Sequence, residues 1–307
     1  MNRGSWILLT LLLGLSGAGG CDPPPLSANG VVGVFGGVGL GDAEFSYPRA
    51  ITTGGDGAVF VVDKSARVQR FGAEGEFELS WRMPDRQAGK PVGLTVHPDG
   101  RVFVADTHYH RVLVFDRGGR PLGGFGEPGD GDGQFRLPTD VAVDGDGFVY
   151  VSEYNGNDRI SRWTPDHRFV MAIGEEPVDG VPLNRPAAID IDARQTLWVA
   201  DACNHRIVRF SRDGEVLAVF GELGTEPGRL RYPYDITVTP DDTLLVCEYG
   251  NSRLQWFDKQ GRSLRTWGTP GRAIGQLWSP WGATVGPNGR IYVVDSLNSR
   301  VQIVREP

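Results

Sequence analysis

The chain is poor in the residues that most often carry metal and thiol chemistry. It has five histidines and three cysteines in 307 residues. The histidines, at 97, 108, 110, 167 and 205, form no metal-binding motif, and no G-x-S-x-G nucleophile elbow is present. There is no run of Lys or Arg, and the net charge is −7, which argues against a nucleic-acid partner. No apolar run after the first twenty residues is long enough to span a bilayer. Glycine (44) and proline (21) are plentiful but dispersed, which points to many turns rather than one disordered tract.

The N-terminus reads as an export signal. Arg3 precedes the apolar stretch WILLTLLLGL (6–15), and SGAGGC ends in small residues before Cys21. The predicted leader is residues 1–20. The small residues before Cys21 resemble a bacterial lipoprotein signal, which implies cleavage before Cys21, lipidation of its thiol and a lipid anchor in the cell-envelope membrane. One position departs from that pattern, because Ala18 stands where a branched apolar residue is usual. Plain secretion is the alternative. Residues 21–30, with DPPPLSANG after Cys21, read as a Pro-rich tether. Spacing does not decide between a bridge and two thiols for Cys203 and Cys247, and two separate buried thiols is the reading taken.

From residue 31 to 307 the chain repeats. FVADTHYHRVLVF (103–115) has relatives in FVVDKSARVQRF (60–71), YVSEYNGNDRISRW (150–163), WVADACNHRIVRF (198–210), LVCEYGNSRLQWF (245–257) and YVVDSLNSRVQIV (292–304). Each copy has an acidic residue: Asp63, Asp106, Glu153, Asp201, Glu248 and Asp295. A proline stands fifteen residues before each, and an arginine four to six residues after: Arg67, Arg111, Arg159, Arg206, Arg253 and Arg300. An alternating run follows each proline, then a turn, often with DG or NG, then three more strand-like runs. Four strands in repeats of roughly 40–50 residues predict propeller blades. The sixth unit stops after its third strand at Val304, and VVGVFG (31–36) reads like the missing fourth. The expectation is an all-β, six-bladed propeller of four-stranded antiparallel blades, closed by the N-terminal strand.

The pattern of proline, alternating strand, YVADxxNxRI and an outer strand ending in Phe-Gly or Trp-Gly resembles the NHL-repeat family over all six units. That resemblance implies the propeller fold. Its members include protein- and RNA-binding modules, sensor domains and the peptidyl-hydroxyglycine lyase of peptide amidation, so it leaves function open.

The repeats can be compared with one another. The acid and the arginine recur in every copy and flank one loop, so they are expected to stabilise blades rather than catalyse. Strand one, the innermost, should turn alternate residues to a central channel. Three channel positions are acidic: Asp140, Asp190 and Asp235. Clustered carboxylates there would hold a hard cation such as Ca²⁺ or a basic group, and the alternative is a channel in which water solvates them. The face carrying the loops into strand one holds Tyr47, Arg49, Arg185, Tyr232, Tyr234, Trp278 and Trp281, a recognition-surface composition. His108 and Tyr109, peculiar to the second repeat, join that list.

A lyase like the NHL relatives would carry a zinc held by histidines at the residue after the repeat proline. Those positions are Arg49, Val92, Thr139, Ala187, Tyr234 and Trp281, and none is histidine. The expected function is therefore a non-catalytic, monomeric propeller that binds a protein, peptide or glycan. A metal-dependent lyase or lactonase is the second reading.

Overall fold

The computed structural model describes residues 28–87 and 89–305. The predicted leader over 1–20, the predicted acylation site at Cys21 and most of the predicted tether lie outside these residues. Among the described residues there are six sheets of four antiparallel strands, and the helices are three-residue 3-10 turns.

Each repeat proline stands within two residues of the start of an innermost strand, as in Pro48–Thr53, Leu137–Val143 or Pro233–Val238. The second strand rises to the acidic residue, as in Val59–Asp63, and the third leaves from the arginine, as in Arg67–Phe71. Each innermost strand touches those of the blades before and after, and that of blade six meets that of blade one. The blades therefore close a ring around a channel. The N-terminal strand Val31–Phe35 pairs antiparallel with the last strand, Val31 opposite Val304, and completes blade six as expected.

The core is six wedges rather than one mass. Each apolar cluster lies between two neighbouring blades, and strand one supplies alternate residues to it: Ile51, Leu94, Val141, Ile189 and Ile236. Every wedge also receives one apolar side chain from a loop on the face where strand one begins: Phe45, Met83, Phe135, Leu183, Leu230 or Leu277. Several of these aromatic and aliphatic side chains are fully buried, each worth about 1.5–3 kcal/mol.

The repeated acid–arginine pair forms in all six blades, at 2.5 to 3.1 Å. The acid is buried in each. It holds more than its arginine. In five blades it also accepts the backbone N–H of the residue seventeen positions earlier: Ser46, Arg136, Asn184, Arg231 or Trp278. The arginine of those blades donates on to carbonyls of the same entering loop, as Arg67 does to Leu40, Gly41 and Glu44. The pair is thus a latch between a blade and the loop that enters it. Blade two is the exception. Its entering loop is shorter, Arg111 reaches the Asp85 carboxylate instead, and Asp106 Oδ1 is buried without a partner.

Candidate functional site at the channel mouth

The loops into strand one and the loops after strand two share one face, and the channel opens there. Tyr47, Arg185 and Tyr232 each precede a proline with φ of 55°, 56° and 50°. A bulky residue is strained in this left-handed region. Ser279 takes the same conformation at φ 50°, so the kink belongs to the architecture of the entering loop.

Five of the predicted residues come together. The Tyr47 ring meets Trp281 edge-on at 5.7 Å, and Trp281 lies 5.0 Å from Tyr234. The Arg49 guanidinium sits 4.8 Å over Trp281 and 5.9 Å over Tyr47. Arg185 sits 4.9 Å over Tyr234. Two residues that sequence reasoning did not assign complete the group. Tyr249 stacks on Tyr234 at 4.6 Å, and Tyr154 lies under Arg185 at 5.2 Å. Each follows a latch acid, as does Lys64, whose Nζ is 5.8 Å from the Tyr47 ring. The available signal was positional: the residue after the acid faces the mouth, and Glu-Tyr occurs in two repeats.

Four predicted residues stand apart from this cage. Tyr232 lies at its edge, 6.4 Å from Tyr234, with its ring against His205 at 4.7 Å. Trp278 turns outward beneath Arg272, 4.2 Å away. Tyr109 carries Arg111 over its ring at 5.2 Å. His108 is packed by its own blade, where Lys90 N–H donates to its Nδ1 at 3.2 Å and Gly89 lies against the ring. Burial lowers the pKa of His108. Its histidine neighbour has a structural task. His110 and His205 occupy the left-handed slot before the latch arginine, and each ring reaches the next blade's entering loop, at Arg136 O and Tyr232 N–H.

Electrostatically the mouth is one-sided. Neither Arg49 nor Arg185 forms an ion pair among the described residues, and nor do Lys64 and Lys90. Arg49 Nε is buried with no hydrogen-bond partner. Desolvation lowers the Arg49 pKa, with the neighbouring Arg185 adding to that. Lys90 is lowered likewise, first by desolvation and then by Lys64 and Arg49. Tyr47 is pushed up by burial and by its hydrogen bond with Tyr249, so the phenol stays protonated.

Below the mouth, Asp140, Asp190 and Asp235 do line the channel, in a cavity of about 130 Å³. Each carboxylate bridges to the next blade. Asp140 Oδ2 accepts Ile189 N–H at 3.0 Å, Asp190 Oδ2 accepts Val238 N–H at 2.7 Å, and Asp235 Oδ2 accepts Ala283 N–H at 2.8 Å. The other oxygen of Asp190 and of Asp235 takes the N–H of the following residue. Among the described residues no group of three or more His, Cys, Asp or Glu is placed to hold a metal. The Ca²⁺ reading gains no support from this arrangement, in which each carboxylate is turned to a backbone amide of the next blade. The zinc of the lyase resemblance fits no better, since no histidine stands after a repeat proline. Desolvation in the channel raises Asp140 to about 7 and Asp190 to about 6. It raises Asp235 well above its ordinary value, with Asp140 adding to the effect. Gly93 is required beside them, because a Cβ there would lie 2.3 Å from Thr139 O and 2.5 Å from Asp140 Oδ1. Cys203 and Cys247 are separate free thiols.

Comparison with known proteins agrees with this architecture. The NHL repeat model matches residues 89–115, 183–210, 230–257 and 277–304. The chain carries NHL repeats in a six-bladed propeller. Among its relatives is peptidyl-glycine alpha-amidating monooxygenase A of Xenopus laevis, 36% identical over 112 residues, which is 35% of this chain and 12% of that protein. Peptidyl-alpha-hydroxyglycine alpha-amidating lyase 1 of Drosophila melanogaster is 34% identical over 97 residues, 30% of this chain and 18% of its own. Protein brain tumor of the same organism is 30% identical over 116 residues, 38% of this chain and 11% of its own. The matched segment thus spans under a fifth of each of these relatives. A streptogramin B lyase structure superposes with a TM-score of 0.63 over 90% of this chain and 99% of its own, at 16% identity, which is a likeness of fold.

Proposed function

We propose that this NHL propeller is a non-catalytic binding module that takes a protein, peptide or glycan ligand at its channel mouth. The observation that carries the reading is the cage itself. Side chains from blades one, three, four, five and six meet at the channel mouth, with two guanidiniums over aromatic rings and no ion-pair partner for either among the described residues. Rings with arginine, clustered centrally, are the composition of binding hot spots. A rigid ring of blades holds them in place with little ordering left to be done on binding. The lyase reading has the names of relatives behind it, but among the described residues neither it nor the lactonase reading finds a group placed to hold its metal.

Peptide and glycan arrays probed with wild type, Tyr234→Ala and Trp281→Ala test the proposal. Ligands bound by wild type and lost in both variants are expected, with melting temperatures showing that the variants stay folded. Identical array patterns for all three proteins would sink it.

The same proposal places the module in a bacterial envelope, held by lipid on Cys21. Cys21→Ser should shift the protein from membranes to the soluble fraction, and unchanged partitioning would refute the anchor.

A further inference from the structure

We propose that the mouth is an oxyanion receptor: one carboxylate or phosphate group of the ligand enters between Arg49 and Arg185, and its organic body rests on Trp281 and Tyr234. The inference rests on the reading of the mouth as a binding site and names the chemistry it selects.

Arg49, Arg185, Lys64 and Lys90 are set around the mouth without an ion pair among the described residues, in a chain whose net charge is −7. Arginines elsewhere on this face do find carboxylates, as the latch pairs show. The Arg49 Nε is a buried donor with nothing to donate to, and such orphans call for an unseen partner. Like charges are also crowded: Arg185 disfavours the charge on Arg49, and Lys64 and Arg49 disfavour that on Lys90. A bound anion would relieve both.

Among the described residues the latch and channel carboxylates already have other partners. The latch carboxylates are taken by their own arginines and loop amides. The channel aspartates below are tied to backbone N–H groups and are raised toward the neutral form. Each guanidinium lies within 5.2 Å of a ring, and its fork of donors suits paired hydrogen bonds to a carboxylate or phosphate. Size limits what enters. A cavity of about 130 Å³ is well below the ~300–1,000 Å³ of sites that engulf a whole small ligand. Only a head group fits, and the rest must lie across the aromatic rim.

Isothermal titration of the full chain with benzoate, phenyl phosphate and the neutral analogue benzamide tests this without requiring any variant. Benzoate or phenyl phosphate should bind, benzamide should not, and binding should weaken as salt is added. The tighter of the two anions identifies which head group the mouth prefers. Arg49→Gln and Arg185→Gln should each weaken binding by about tenfold or more, the scale of a lost charge-assisted hydrogen bond. Arg120→Gln, on an exposed arginine paired with Asp116, should leave it unchanged. Arg49→Lys keeps the charge and should bind with intermediate strength, and it serves as the readout if Arg49→Gln does not fold. Equal binding of benzamide and benzoate, no binding of either anion, or wild-type affinity in both Gln variants overturns the inference. Array ligands that need Trp281 but carry no acidic group would overturn it while leaving the binding role standing. Arrays with no Trp281-dependent ligand would remove both.

Discussion

Two sets of arginine share one face of this disc. The six latch arginines each meet a buried carboxylate and sew a blade to its loops. Arg49 and Arg185 stand a short way inward, meet no carboxylate, and lie on rings instead. The chemistry of the side chain is identical in both sets, so its surroundings decide what it does. A partnered arginine is spent on the fold, whereas one left without a partner keeps its full capacity for something outside the molecule.

The largest test of that contrast is to cut a latch. Asp201→Ala removes the acceptor of Asn184 N–H, Asn204 Nδ2 and Arg206 Nε together. It should cost about 3–5 kcal/mol in urea unfolding, because a buried guanidinium is left unpaired. A loss below ~1 kcal/mol would show that the latch is ornamental. Blade two provides an internal gradient. Asp106→Ala should cost less, roughly 1–3 kcal/mol, since that carboxylate has one oxygen idle and its arginine keeps Asp85. Equal losses at the two positions would contradict the role given to the loop amides.

The channel aspartates sharpen the contrast through pH. A carboxyl raised to about 7 in the folded state, from an ordinary 3.8, binds more protons folded than unfolded over that interval. Its contribution to stability is therefore full below pH ~4 and is lost as pH rises through ~7. Asp140→Asn should flatten the fall in stability between acid and mildly alkaline pH. If both proteins give parallel stability–pH curves, the mouth cations are neutralising Asp140 and are not free.

The smallest expected change is in the mouth itself. Arg49→Gln should leave unfolding stability within about 1 kcal/mol of wild type, the scale of a lost cation–π contact. A loss of several kcal/mol would make Arg49 a structural residue like Arg206.

The fold was readable because its rule is written six times: a proline, an acid fifteen residues later and an arginine soon after. Internal repetition substitutes for an alignment, and even the closure of blade six followed from one missing strand. The mouth was readable in part. Arg49, Tyr234 and Trp281 directly follow the repeat proline and Tyr47 and Arg185 directly precede it, so their places at the mouth recur with the repeat. Trp278 stands two residues before its proline rather than beside it, and its ring lies beneath Arg272 instead. Tyr154 and Tyr249 were visible as oddities beside Asp140 and Asp235, yet nothing local says that they reach a neighbouring blade. The task of the aspartates was hidden for the same reason. Whether a carboxylate faces channel water or the amide of the next blade depends on the angle between blades, and single-strand periodicity carries no information about that angle.

The pairing of Val31–Phe35 with the final strand has a consequence in time. The first strand of the ring to be made is the last to find its partner. At roughly 5–20 residues per second, the ~270 residues in between take tens of seconds to synthesise. Through that interval an apolar strand waits with both edges open, the state most exposed to wrong pairing. Once the ends meet, each holds the other in register, and neither can fray without opening the ring.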